Sequence, residues 1–222
     1  MTQPLPLINE LRQLLYTPVL SDVLDGFGLM RQALRPFVRP IDESTVLFGK
    51  IRTGRYAPVA SVTPGRNPYL LEMQLIDSLQ PGEVAALACS GPTETIAPWG
   101  ELLSTAARAR GAAGCLTDGL VRDIARIRAM GFAVFHGGIG PLDTKGRAEM
   151  VERDTPIEIA GAHAAPGDWV MGDIDGVVII PADRAEAVFR AALDKIAAED
   201  TSRAELAAGA SLQDVYARHG VL

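Results

Sequence analysis

The chain is cut into short pieces: 22 glycines and 15 prolines are spread through its 222 residues. In a helix interior a glycine costs about 1 kcal/mol and a proline about 3 kcal/mol. A bundle of long helices is therefore excluded, and many short elements joined by turns are expected. Hydrophobic residues make up 48% and charged residues 22%, which excludes disorder, collagen and coiled coil for the chain as a whole. Aromatics are only 5%, so small aliphatic side chains must fill the core. A chain of this length buries roughly 70% of its unfolded surface, and one domain over residues 1–222 is expected without any staple.

The net charge is -6, with 21 Lys and Arg against 27 Asp and Glu in no block of one sign. That leaves no basic face, and no nucleic-acid partner is expected. Cys89 and Cys115 sit in apolar surroundings without CxxC spacing, which predicts buried reduced thiols in a cytoplasmic protein. The start, MTQPLPLINELRQLL, lacks a basic region followed by a long apolar one, so no secretory leader is expected. The longest apolar runs, Phe132–Phe135 and Gly176–Pro181, are too short for a membrane span.

Leu7, Ile8, Leu11, Leu14 and Leu15 predict a helix over Leu7–Tyr16, ended by Thr17-Pro18. Ser21 is expected to cap a second short helix, so that helices occupy about 7–30. Residues 45–49 and 50–54 read as two extended segments. Asn67–Ser78 predicts a helix with Leu70, Leu71, Met73, Leu75 and Ile76 on its apolar face. Strand Val84–Cys89 then opens a βα rhythm: helix Glu101–Arg110, strand Ala113–Thr117, helix Arg122–Met130 and strand Phe132–Phe135. A Gly-rich loop over Gly137–Met150 follows, then strands at 157–159, 169–172 and 177–180. Helices over about 183–219 close the chain, the first begun by a capping box of Asp183 and Glu186 and the second over Ser211–His219. The pattern predicts a mixed α/β fold.

The densest set of polar residues is Trp99-Gly100-Glu101-Leu102-Leu103 with Asp118-Gly119-Leu120-Val121-Arg122-Asp123. Both segments follow a predicted strand and lie at a helix start. Free first-turn N–H groups bind anions, so those of Leu102 and Leu103 suit a carboxylate. Arg122 adds a planar, permanently charged donor for a carboxylate or keto oxygen. Asp123 suits a hard cation such as Mg2+, and Glu101 could act on it directly or through water. The same residues would also make a solvated helix start with a local ion pair.

The stretches GELLSTAARARGAAGCLTDGLVRD and PGDWVMGDIDGVVIIP resemble the class II 4-hydroxy-4-methyl-2-oxoglutarate aldolases and their relatives, the regulator of ribonuclease E activity A-like proteins. The resemblance runs from about Leu20 to Tyr216. The family's aldolase mark is an acidic residue, twenty residues, then Arg-Asp; here these are Glu101, residues 102–121 and Arg122-Asp123. The well-known aldolases carry Asp at the first position, where this chain has Glu. The resemblance implies a swivelling β/β/α sandwich assembled as a homotrimer or hexamer, with sites between subunits. It implies that Gly100, Glu101, Leu102 and Leu103 form the pyruvate-binding loop, that Arg122 contacts the keto oxygen, and that Asp123 ligates a divalent metal, Mg2+ or Mn2+. The activity implied is cleavage of a 4-hydroxy-2-oxo acid to pyruvate, with oxaloacetate decarboxylation as a side activity. The other branch of the family implies a regulator that binds and inhibits a ribonuclease without catalysis.

Weaker candidates remain. His136 could shuttle protons or be a loop histidine, and Asp143, Lys145 and Arg147 could select the distal substrate group or face solvent. Arg55 and Tyr56 could reach a site or pack a strand end. Gly137-Gly138-Ile139-Gly140 fails the dinucleotide register, and no GxSxG elbow is present. His163 and His219 lack metal-ligand spacing. Asp168, Asp173 and Asp175 lack a calcium-loop pattern and read as turn residues.

Overall fold

A computed structural model describes residues 5–89 and 94–220. Two helices, α1 (Ile8–Leu14) and α2 (Thr17–Gly26), come first. Pro18 lies in the first turn of α2, where its missing N–H costs nothing. Ser21, expected to cap this helix, is therefore inside it. The start of α2 is held from a distance instead: the Thr17 N–H and hydroxyl donate to the Asp173 carboxylate at 2.7 and 2.6 Å.

After the two-residue β1 (Arg39–Pro40) comes β2 (Leu47–Pro58), one 12-residue strand where two segments were expected. Gly49 does not break it. A side chain there would collide with the Gly82 carbonyl oxygen, so this glycine serves a close approach of two backbone segments and not a turn. The βα rhythm follows as α3 (Leu70–Asp77), β3 (Glu83–Ala88), α4 (Glu101–Ala109), β4 (Gly114–Thr117), the short β5 (Leu120–Val121), α5 (Ile124–Met130) and β6 (Val134–His136). The stretch expected to be one loop to Met150 holds β7 (Gly138–Ile139) and the start of β8 (Ala148–Arg153). The strands β9 (Ile157–Ile159), β10 (Ala162–Ala164), β11 (Trp169–Gly172) and β12 (Val177–Ile180) precede α6 (Ala185–Ala207) and α7 (Leu212–His219). The capping box at α6 does not form: its N-cap is Arg184, and Glu186 pairs with Arg190. Ser211 does cap α7, accepting from the Asp214 N–H at 3.2 Å.

The main sheet has the order β1-β6-β4-β3-β2-β11-β12, with β8 also on β2. Strands β2, β3, β4 and β6 are parallel neighbours, and each is joined to the next through a helix, as parallel pairing requires. The long β2 changes partner along its length. Leu47–Lys50 pair with β11, whereas Gly54–Pro58 pair with β8. The segment before β2 reaches both edges of the sheet: Ala33 bridges Val178 of β12, and Arg39–Pro40 pair with β6. The sheet is thereby nearly closed into a barrel, within the mixed α/β class expected.

Side-chain alternation along β3 divides the core. Val84, Ala86 and Ala88 face the interior with Leu47, Ile51, Leu116, Phe135 and Val170. Ala85 and Leu87 face outward, under α3, α4 and α5, with Leu75, Ile76, Trp99, Cys115 and Ile127. A third cluster packs α1, α2 and α6 on β11 and β12 through Leu20, Leu24, Met171, Ile180 and Phe189. Cys89 and Cys115 are buried and free, as the apolar surroundings predicted. Among the described residues no helix is long and apolar enough to cross a membrane.

Candidate active site

Trp99 and Val121 form a parallel bridge, and the Arg122 N–H donates to the Trp99 carbonyl at 3.1 Å. Residues 99–101 and 121–123 thus run side by side. Trp99 anchors the first segment. It is fully buried, stacks on Phe132 at 6.2 Å between ring centroids, and donates from Nε1 to the Ser104 hydroxyl at 2.7 Å. That hydroxyl donates in turn to the Gly100 carbonyl at 3.0 Å.

Gly100 is the N-cap of α4 in extended conformation. A Cβ at this position would lie 2.8 Å from Asp123 Oδ2 and 3.1 Å from Arg122 Cγ, so any larger residue would displace the Asp123 and Arg122 side chains from their present places. Asp123 precedes α5, which starts two residues later than the expected Arg122. Its φ of 61° and ψ of 30° are left-handed, a conformation that non-glycine residues rarely adopt and that costs on the order of 1–3 kcal/mol. In that conformation its carboxylate does not cap its own helix. Oδ2 instead accepts from the Glu101 N–H at 3.1 Å and satisfies the first free donor of α4.

Arg122 lies between two carboxylates. Its Nε is 4.0 Å from Asp123 Oδ2, and a terminal nitrogen is 3.6 Å from Asp143 Oδ1. Asp143 also accepts from the Tyr69 hydroxyl at 2.6 Å and the Thr144 N–H at 2.8 Å. Partial burial works to raise the Asp143 pKa, but Tyr69, Arg122 and the backbone donors outweigh it and hold the carboxyl below its usual range. Burial and the bond to Asp143 push the Tyr69 hydroxyl up to about 12. These groups line a cavity of about 390 Å³ together with Glu72, Leu102 and Leu103. A second, more open hollow of about 490 Å³ shares Arg122 and Asp123 and reaches Ile139 and Pro141.

The structure therefore brings Gly100, Leu102, Leu103, Arg122 and Asp123 together. Glu101 joins them through its backbone only: its carboxylate accepts from Thr105 Oγ1 at 3.2 Å, along the helix, and does not line the cavity. Of the loop candidates, Asp143 reaches the site, whereas Lys145 and Arg147 are exposed. His136 is buried at the end of β6 and lies outside the cavity wall. Burial and then the charge of Arg128 lower its pKa. Arg55 pairs with Glu152 at the surface, while Tyr56 is buried beneath the cavity. Asp168 accepts from the Ala165 and Ala182 N–H groups, and Asp173 binds Thr17 and the Asp175 N–H, so both serve local turns and a helix start.

The ionisable cavity residues Tyr69 and Glu72 carried no motif in the sequence. Glu72 was hidden by an apolar count that put Leu70 and Met73 on the inner face of α3. Both of those are exposed, and the buried stripe is Glu72, Leu75, Ile76 and Leu79. The signal was the spacing i, i+3, i+4, i+7, which starts on a carboxylate.

Among the described residues no three His, Cys, Asp or Glu side chains converge as a preformed metal centre. A cation that keeps most of its waters and takes one carboxylate, as Mg2+ does, fits Asp123. The charges argue the same way. One arginine faces Asp123 and Asp143, so a dianionic ligand would meet no net positive field unless a cation were added.

The model of the RraA-like family, Aldolase/RraA, matches residues 17–179. A protein of Halalkalibacterium halodurans named "Putative 4-hydroxy-4-methyl-2-oxoglutarate aldolase" is 31% identical over 188 residues, 84% of this chain and 82% of its own length. A protein of the same name from Albidiferax ferrireducens is 38% identical over 72% of this chain and 83% of its own. The solved structure of Streptomyces coelicolor RraAS2, described as an unusual member of the RNase ES inhibitor RraA protein family, shares the fold. Its TM-score is 0.77 at 24% identity, over 88% of this chain and 94% of that one.

Proposed function

This chain belongs to the RraA-like family, and we propose that it is a divalent-metal-dependent lyase that releases pyruvate from a 4-hydroxy-2-oxo acid and also decarboxylates oxaloacetate. The observation that carries the reading is Arg122, placed at the cavity between Asp123 and Asp143 and beside the first turn of α4.

The residues suit that chemistry. The first-turn N–H groups of Leu102 and Leu103 bind the carboxylate of the 2-oxo acid. The guanidinium of Arg122 faces the keto oxygen. As the C–C bond breaks, the 4-hydroxyl gives its proton to water and becomes the carbonyl of the second product, while the electrons of the broken bond move into the enolate and negative charge grows on the keto oxygen. Arg122 then binds it more strongly than the neutral carbonyl, which is the condition for lowering the barrier. A Mg2+ or Mn2+ ion held by Asp123 would supply Lewis-acid polarisation of the same group. Decarboxylation of oxaloacetate yields the same enolate without needing a base for a hydroxyl.

We read the assembly as a homotrimer or hexamer. Supporting this, Leu102 beside the cavity is 77% exposed and Ile139 in the adjoining hollow is 62% exposed, where a second subunit would cover them.

The test is pyruvate release from 4-hydroxy-4-methyl-2-oxoglutarate and from oxaloacetate, with Mg2+ or Mn2+ and then with a chelator. Turnover that the chelator removes supports the reading. Absence of metal-dependent turnover of either acid by the purified protein overturns it.

A further inference from the structure

We propose that Glu72 is the group that carries the proton between solvent and the methyl carbon of pyruvate in this cavity. The proposal rests on the lyase reading above and adds to it the acid–base residue.

Glu72 projects from the buried stripe of α3 into the cavity wall that also holds Arg122. It is 8% exposed, and it forms no ion pair within 4 Å among the described residues. Its Oε2 accepts from the hydroxyl of Tyr56, which is itself buried in β2. The other charged groups facing it are Asp143, from the loop before β8, and Arg122; behind Tyr56 lie the thiols Cys89 and Cys115. Among the described residues no cation makes direct contact with this carboxyl, and the charge of Arg122 acts on it only from beyond ion-pair distance. Burial raises its pKa to about 7, with the Tyr56 hydrogen bond lowering it, Asp143 raising it and Arg122 lowering it. Both protonation states are then populated near neutrality, which suits a group that must give and take a proton in one cycle.

Cleavage leaves an enolate whose terminal carbon must gain a proton to become the methyl group of pyruvate. The Glu72 carboxylic acid supplies that proton: its O–H bond breaks, the C=C electron pair of the enolate forms the new C–H bond, a lone pair of the enolate oxygen re-forms the keto C=O, and Glu72 is left as a carboxylate that is reprotonated by solvent. In reverse, the Glu72 carboxylate removes a methyl proton from bound pyruvate. In D2O the second direction replaces the methyl hydrogens with deuterium.

The experiment follows the pyruvate methyl signal by proton NMR in D2O with Mg2+. The wild type is expected to exchange it. Glu72→Gln is expected to lose about 100-fold or more of the exchange rate, with unchanged affinity for oxalate, an enolate mimic, as the check on an intact site. Tyr56→Phe keeps the carboxyl but removes the hydrogen bond that lowers its pKa, so the acid limb of the exchange profile should move to higher pH. That shift is one a purely structural role would not produce. Exchange by the wild type that survives in Glu72→Gln, or a limb unmoved in Tyr56→Phe, overturns the role of Glu72 and leaves the lyase reading standing. No exchange and no turnover by the wild type overturns both.

Discussion

The Asp123 carboxylate accepts a hydrogen bond from the Glu101 N–H at 3.1 Å, across 22 positions of chain. The distance in sequence has a geometric basis. The nine residues of α4 carry the chain about 13 Å away from the site, and the four residues of β4 bring it back by about 13 Å. The acidic residue and the Arg-Asp pair are therefore the two ends of one out-and-back excursion. A side chain at one end completes the first turn of the helix at the other.

Gly100 is the point at which those ends touch. Gly100→Ala places a Cβ 2.8 Å from Asp123 Oδ2 and pushes the carboxylate off the helix start. Turnover should fall about 100-fold, with little change in Tm because the backbone there is extended and unstrained. Steady-state kinetics beside a melting curve check this; wild-type turnover in the variant would show that the close approach is dispensable.

Arg122 and Asp123 should separate in their effects. Arg122→Ala is expected to lose about 10²–10³ in kcat, and Arg122→Lys should restore little, because an ammonium lacks the planar pair of donors. Asp123→Asn should abolish the difference between Mg2+ and chelator. Both residues keeping near-native rates would place the chemistry elsewhere.

Ser104 tests the anchor beneath the site. Ser104→Ala leaves the buried Trp99 Nε1 without its acceptor, at a cost of about 1–3 kcal/mol. For a chain of this size each kcal/mol lowers Tm by roughly 2–4 °C. A Tm unchanged from wild type would mean that another acceptor replaces the hydroxyl.

A pH-dependent term comes from Arg52 and Asp154, joined by two hydrogen bonds at 2.6 and 2.9 Å. Arg52 first, against partial burial, and with help from Arg153, holds the Asp154 carboxyl below its ordinary pKa. A depressed carboxyl stabilises the fold above the unfolded value, about 3.9, and that stability is lost as the pH falls through the folded value. Asp154→Asn should therefore cost about 1 kcal/mol at pH 7, and the gap to wild type should close as the pH falls below 3.9. A gap in Tm that stays constant down to pH 2 would show that the effect is packing and not charge.

Much of the architecture was legible locally. The βα rhythm from Val84 to Phe135 was readable because each helix there is closed by Gly111 or Gly131 in a left-handed conformation, and each strand is a short apolar run. What misled were residues with two uses. Gly49 resembled a strand end and proved to be a close-contact site within β2. Ser21 and Asp183 had capping chemistry but not capping positions.

The amino-acid sequence alone determined the mixed α/β class, the Glu101…Arg122-Asp123 spacing and the glycine at position 100, because these depend on local periodicity and on a fixed count along the chain. Only the tertiary structure decided that Asp143 and Tyr69 join Arg122 and that Glu72 turns inward while Leu70 and Met73 turn out. The physical reason is that a helix's inner face is chosen by what it packs against. Here α3 lies over β2, where Tyr56 offers a buried hydroxyl that only a polar partner can satisfy.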